Sequence, residues 1–210
     1  MDYRYIVVEG SIGSGKSALS RRLAQHFDAL LLSEIPESNP FLERFYLNAA
    51  NHGLATEMHF LIRRSEAIKV IYAEDERRSR VVADFLLEKD QIYVPVILRD
   101  DEQTLYWQIK QRVMPKFPVP DLVIYLEASD EMLDRRLRQR NEGSLNLFPD
   151  GYLQQIHNEY RHFFHLYQHA PLLIANTNEL DFMGNDDHFA LLLKTIANMQ
   201  GSRIYLNLSE

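Results

Sequence analysis

Residues 10–17 read Gly10-Ser11-Ile12-Gly13-Ser14-Gly15-Lys16-Ser17, and they follow the apolar run Tyr5-Ile6-Val7-Val8 almost at the start of the chain. The spacing is G-x-x-x-x-G-K-[ST], the Walker A pattern, placed where a strand ends and a helix begins. A loop in that position cradles phosphate with its backbone N–H groups. Gly10, Gly13 and Gly15 permit backbone angles and a close approach that side chains would block. Lys16 is placed to reach the β- and γ-phosphates, and the Ser17 hydroxyl to serve Mg²⁺. The helix predicted over 16–27 aims its first N–H groups and its positive dipole end at the same anion. Together with the Ser11, Ile12 and Ser14 backbone, these residues form the candidate nucleotide site, for which ATP and Mg²⁺ are the expected ligands.

The same strand–helix alternation runs through the rest of the chain. Apolar runs predict strands near 4–9, 29–33, 80–84, 121–126 and 171–175, with a possible sixth near 203–208. Helical periodicity fills 16–27, 40–48, 54–76, 85–93, 101–114, 130–140, 150–169 and 187–199. Strands alternating with helices imply an α/β fold with a mostly parallel, five-stranded sheet covered on both faces. No repeat, low-complexity tract or linker interrupts the chain; Pro115, Pro118 and Pro120 punctuate the entry to strand 121–126 and mark no boundary. The 210 residues suffice for one domain with a full core, so a single domain over 1–210 is expected.

Bulk composition narrows the function classes. With 23 Lys+Arg against 30 Asp+Glu the net charge is −7, which argues against nucleic acid as the main partner, although basic residues cluster at 63–64, 77–80 and 135–140. There is no Cys, which excludes disulfides, thiolate metal sites and cysteine nucleophiles. The N-terminus enters a strand without a signal-peptide pattern, and no stretch approaches the ~20 apolar residues of a membrane span. The expectation is a cytoplasmic protein with small-molecule partners and no membrane partner.

In such a sheet, ligands bind outside the carboxyl ends of the strands. Glu34 follows strand 29–33, and Asp84 closes strand 80–84, so both should converge with Lys16 and Ser17 on one rim. Phosphoryl transfer needs a base for the acceptor hydroxyl and a carboxylate for the metal shell, and two acids at neighbouring strand ends supply those roles. The run Asp134-Arg135-Arg136-Leu137-Arg138-Gln139-Arg140-Asn141-Glu142 lies at a helix end before a polar segment, where guanidinium groups can close over the transferring phosphate. A lid over about 136–149 is expected. Around Glu34 the chain carries Glu37 and Glu43 against a single Arg44, which favours a neutral acceptor over one that already bears a phosphate.

On these residues the chain resembles the deoxynucleoside kinase family, in its deoxycytidine, deoxyguanosine and deoxyadenosine kinase branch of bacterial type. The resemblance is carried by the loop 10–17, by Glu34-Ile35-Pro36-Glu37-Ser38-Asn39-Pro40-Phe41-Leu42 with Phe45-Tyr46, and by Glu57 through Arg64. Pro120-Asp121-Leu122-Val123-Ile124-Tyr125-Leu126 and the Arg-rich lid complete it, in the family's order. The resemblance implies a P-loop kinase that moves the γ-phosphoryl group of ATP to the 5′-hydroxyl of a deoxynucleoside, in nucleotide salvage, as a homodimer. It implies Glu34 as general base, Tyr46 at the sugar 3′-hydroxyl, position 57 as the reader of the base edge and Arg64 on the same helix face. It further implies Arg138 and Arg140 in the lid, Glu142 as the lid acid, and Asp84 as the acid after the third strand.

Two departures stand out. The family carries an arginine after the acid of its third strand, whereas Asp84 is followed here by Phe85-Leu86; Lys89 is a possible substitute. The base-reading position holds Glu57 where the family has Gln. An ionised Glu only accepts hydrogen bonds, so it suits guanine, whose N1–H and N2–H₂ are adjacent donors, and deoxyguanosine is the expected substrate. The competing readings are a nucleoside monophosphate kinase such as thymidylate kinase and a non-catalytic nucleotide switch. Phe60, Leu61, Ile68 and Ile71 read as core, Trp107 as core or interface, and His157, His162, His165 and His169 as a solvated or stacking face.

Overall fold

The computed structural model describes residues 3–77, 79–140 and 148–208, without the side chain of Arg140. Its elements, in chain order, are β1 (Tyr5–Gly10), α1 (Lys16–Phe27), β2 (Leu30–Leu32), a 3₁₀ turn (Pro36–Ser38), α2 (Leu42–Leu47), α3 (Ala49–Glu76), β3 (Val81–Ala83), α4 (Asp90–Ile97), α5 (Asp100–Val113), β4 (Leu122–Glu127), α6 (Asp130–Arg140), α7 (Tyr152–Leu166), β5 (Leu172–Asn176), α8 (Asp186–Ala197) and β6 (Arg203–Leu206). The strands form one sheet in the order β2-β3-β1-β4-β5-β6, every neighbouring pair parallel. The segment near 203–208 is thus a true sixth strand, one more than the five expected.

Alternation along each central strand builds two cores. Val7, Ala83, Val123 and Leu172 point to one face, where α2, α3, α4 and α7 cover them. Ile6, Val8, Ile124 and Leu173 point to the other, under α1 and α8. Continuous burial of β1, β3 and most of β4 follows from this double cover.

Three boundaries differ from the sequence expectation in ways that shape the site. Helix 40–48 is the short α2, and α3 begins at Ala49, because the Asn48 side chain accepts a hydrogen bond from Asn51 N and caps a new helix. The helix expected over 85–93 starts only at Asp90. Residues 84–89 instead form turns, with Leu86 N–H donated to a Glu9 carboxylate oxygen at 3.1 Å. Asp84 lies just past β3 and caps no helix: its Oδ1 accepts the Glu34 N–H at 2.7 Å, which ties the ends of β2 and β3 together.

Candidate active site

The loop between β1 and α1 takes the conformation its glycines predict. Gly13 and Gly15 sit at φ 89° and 91°, in the left-handed region. A Cβ on Gly13 would also lie 3.0 Å from the Leu133 carbonyl and 3.2 Å from Leu137, so the loop rests directly on α6. Gly15 forms the N-cap of α1 with no side chain capping its first turn, in which Ser17 is exposed. Burial, and then the neighbouring charge of Lys89, lower the pKa of Lys16; Glu9, Asp84 and Glu34 oppose this. An arriving phosphate supplies the counter-charge that this ammonium needs.

Glu34 and Asp84 meet as expected. The Glu34 carboxylate takes a hydrogen bond from Lys89 Nζ at 2.7 Å on one oxygen, and its other oxygen lies 3.5 Å from Arg64 Nη1. Burial alone would raise its pKa, but Lys89 and Arg64 outweigh burial and hold it below the usual carboxylate range. Arg64, 2 % exposed in the middle of α3, bridges onward to Glu57, whose oxygen lies 3.7 Å from Nη2. Burial pushes the Glu57 carboxyl up to about 7; Arg64 pulls it down without offsetting this, and Glu34 and Asp90 add to the rise.

These contacts leave polar atoms over. Glu34 Oε1, Glu57 Oε2 and Arg64 Nε and Nη2 are buried without a hydrogen-bond partner. Buried charged groups are normally paired in full, since each unmatched one costs about 1–3 kcal/mol or more. Four such atoms in one cluster mark a place built for a polar ligand.

Aromatic rings flank the cluster. Tyr46 packs edge-on against Phe148 at 5.0 Å, and Phe148 stacks on Tyr152. Burial raises the Tyr46 phenol well above its usual range, and Tyr93 and Glu37 add to it, so it stays a neutral hydrogen-bond donor. Asn39 fixes the stretch after Glu34 against α3 by donating to the Thr56 carbonyl at 3.1 Å. A cleft of about 260 Å³ opens between this stretch and α3, with Ser33, Glu34, His59, Arg63 and Arg64 among its walls. Phe60 lines this cleft half-buried and is not core, whereas Leu61, Ile68 and Ile71 are, as expected. Trp107 is partly buried against the main core.

At the other rim, Arg138 is exposed near the end of α6. Arg140 closes that helix, while its side chain and all of Glu142 lie outside the described residues. Arg136, the arginine that turns inward, was not singled out by sequence. It donates to Thr177 Oγ1 at 3.1 Å and to the Thr177 carbonyl at 2.5 Å, with the Ser14 carbonyl at 3.5 Å. Two more buried acids escaped notice. Glu9, 0 % exposed, accepts from Gly10 N at 2.8 Å and from Tyr160 Oη at 3.1 Å. Asp90 accepts from Lys110 Nζ at 2.6 Å and Tyr106 Oη at 3.0 Å. The signal for Glu9 is an acid closing the apolar run Tyr5–Val8, whereas Asp90 stands among Glu88, Lys89 and Gln91 and carries no local signal. His157 is buried beside Asp130, 3.3 Å away, against the expectation, whereas His162, His165 and His169 are exposed as a solvated or stacking face requires, His169 also contacting Glu88 and packing on the Tyr167 ring.

Among the described residues no group of three or more His, Cys, Asp or Glu could hold a metal ion. The fit to Mg²⁺ therefore rests on Ser17, exposed at the start of α1, and Asp84, which acts electrostatically on the adjoining Lys16. That set is adequate, because Mg²⁺ at nucleotide sites keeps several waters and takes one or two protein oxygens beside the phosphates.

Comparison with known proteins bears on the family and the fold. The deoxynucleoside kinase family model matches residues 6–200. A deoxyguanosine kinase of Bacillus subtilis is 28 % identical over 190 residues, covering 88 % of this chain and 92 % of that protein. A deoxyadenosine/deoxycytidine kinase of the same organism is 25 % identical over 199 residues, covering 92 % of each. The solved structure of deoxyadenosine kinase from M. mycoides with bound dATP superposes with a TM-score of 0.79 at 20 % identity, over 93 % of this chain and all of that one.

Proposed function

The chain belongs to the deoxynucleoside kinase family, and from that premise we propose that it transfers the γ-phosphoryl group of ATP to the 5′-hydroxyl of a deoxynucleoside. The observation that carries the reading is the set of buried charged atoms on Glu34, Arg64 and Glu57 that pair with one another yet lack hydrogen-bond partners, adjoining the ends of β2 and β3 and, through Glu34, electrostatically coupled to Lys16. Donor phosphates lie on the Gly10–Ser17 loop against Lys16. The acceptor sugar lies by Tyr46 with its 5′-hydroxyl at Glu34, and the base reaches Glu57 and Arg64. Glu34 takes the hydroxyl proton as the oxygen attacks the γ-phosphorus and the bond to ADP breaks. Catalysis of this kind is mostly positioning and charge stabilisation. Arg138, Arg140 and Glu142 belong to a lid over about 136–149 that closes on the phosphates and the sugar. Mg²⁺, held by Ser17 and Asp84, would supply neutralisation of the phosphate oxygens.

Deoxyguanosine is the preferred substrate in this reading, because the carboxylate of Glu57 matches two adjacent donors. Three of the relatives named deoxyguanosine kinase, at 22–28 % identity, support it. The enzyme works as a homodimer, with the exposed Ile62, Val70 and Tyr72 of α3 and Leu105 and Val113 of α5 as its apolar surface, and it acts in the cytoplasm, where ATP is made available. No helix of the described residues is long and apolar enough to cross a membrane.

The test is an assay of the four deoxynucleosides and thymidylate with ATP, for wild type and Glu34→Ala. Transfer to a deoxynucleoside, a loss of about 10²–10⁴ in kcat on removal of the base, and an ATP Kd within about threefold are expected. Transfer to thymidylate alone, or near-wild-type turnover by the variant, would sink the assignment.

A further inference from the structure

Beside Glu34 stands a buried cation that the reaction scheme has not used. Phe85, the residue after Asp84, is 4 % exposed and packs into the main core, so it offers no charge to the site. The turns over 84–89 then bring the chain back, and Lys89, at the N-cap of α4, puts its Nζ 2.7 Å from Glu34 Oε2. The ammonium has a seat of its own. Glu9 Oε1 lies 3.9 Å away, and the Tyr93 ring centre 5.4 Å away. Glu9 in turn is immobilised by Gly10 N, Leu86 N and Tyr160 Oη. Arg64, a second cation near Glu34, stands farther off and is shared with Glu57, and Lys16 acts on Glu34 only electrostatically.

We propose that Lys89, seated on Glu9, is the positioning residue for the proton-accepting carboxylate of Glu34, in place of an arginine at position 85. The inference rests on Glu34 being the base, as read above. Glu34 hangs from a loop and its side chain has three torsions to fix. The Lys89 contact locks the carboxylate on one oxygen and leaves the other, Oε1, 3.5 Å from Arg64 but without a hydrogen-bond partner, to accept the hydroxyl's hydrogen bond. The chain Gly10–Glu9–Lys89–Glu34 also connects the base mechanically to the loop that holds the donor. Small displacements at such a contact are amplified in rate, because the reacting atoms must lie within a narrow range.

The experiment is a mutant cycle read in kcat and in Kd. Wild type, Lys89→Met, Lys89→Arg, Glu34→Gln and the double variant Glu34→Gln/Lys89→Met are compared with deoxyguanosine and ATP, with ATP Kd by calorimetry; Lys89→Gln replaces Lys89→Met should the latter not fold. Lys89→Met is expected to lose about 100-fold in kcat with ATP Kd within about threefold, and Lys89→Arg to recover about tenfold of that loss. The double variant is expected to be no slower than Glu34→Gln by more than about twofold, since a residue acting through Glu34 has nothing left to act on. A kcat for Lys89→Met within about threefold of wild type, no recovery with arginine, or losses that multiply in the double variant would overturn the proposal. Any of these with an active wild type overturns it alone, whereas a wild type inactive on every deoxynucleoside removes the functional reading and this inference with it.

Discussion

Glu57 is the residue on which substrate choice turns. Its carboxyl titrates near physiological pH because burial raises its pKa to about 7 and Arg64, 3.7 Å away and shared with Glu34, does not fully oppose this. Above that pH it is a pure acceptor suited to guanine; below it, the protonated form both donates and accepts, as Gln would, and admits adenine. The kcat/KM ratio of deoxyguanosine to deoxyadenosine should therefore rise up to about tenfold from pH 6 to pH 8 in the wild type, and stay flat in Glu57→Gln. A ratio independent of pH in both proteins would remove Glu57 as the reader. The same titration bears on stability. A folded-state pKa raised above the ordinary 4.5 means that the native state holds its proton more tightly, so this stability is complete below about 4.5 and is lost as the pH rises through 7. Glu57→Gln should be nearly as stable as wild type at pH 5, and more stable by on the order of 2–3 kcal/mol at pH 8, read from urea unfolding at the two pH values.

At the scale of elements, the loop 10–17 and α6 behave as one unit. Gly13 is held both by its positive φ and by the Leu133 carbonyl, whereas Gly15 shares the positive φ but has open space where a Cβ would stand. Gly15→Ala should thus carry only backbone strain, about 1 kcal/mol, while Gly13→Ala should lose about 2–3 kcal/mol and weaken ATP binding at least tenfold, because α6 must shift. Equal effects in denaturation and ATP titration would mean that the loop does not lean on α6. Arg136 adds a second tie, from α6 to Thr177 beyond β5. The Arg-rich run was legible as a feature, but which arginine turns inward depends on helix phase against the loop, and that phase was not in the composition of the run. The late start of α4 has a similar cause: residues 85–89 read as helical by periodicity, yet Leu86 N–H has a better partner in the buried Glu9 than in its own turn.

The whole molecule separates its two jobs by face. The acceptor cluster belongs to the side covered by α2, α3, α4 and α7, and the side under α1 and α8 supports the sheet. Leu192 of α8 is fully buried in that second core. Leu192→Ala should lower unfolding stability by about 3 kcal/mol while leaving KM for both substrates within about twofold, as measured by urea unfolding and steady-state kinetics below the transition. A large change in KM would show the second face to be coupled to the site. By itself, the order of residues determined the parallel α/β architecture, the phosphate loop and the pairing of Glu34 with Asp84, because glycine spacing, strand periodicity and strand-end acids are local properties of the chain. Only the tertiary structure decided that Asp84 holds the Glu34 backbone, that Lys89 rather than a neighbour of Asp84 reaches the Glu34 carboxylate, and that Glu57 shares Arg64 with it. Those contacts join residues far apart in sequence, and their strengths depend on burial and charge that exist only once the sheet and its helices have packed around them.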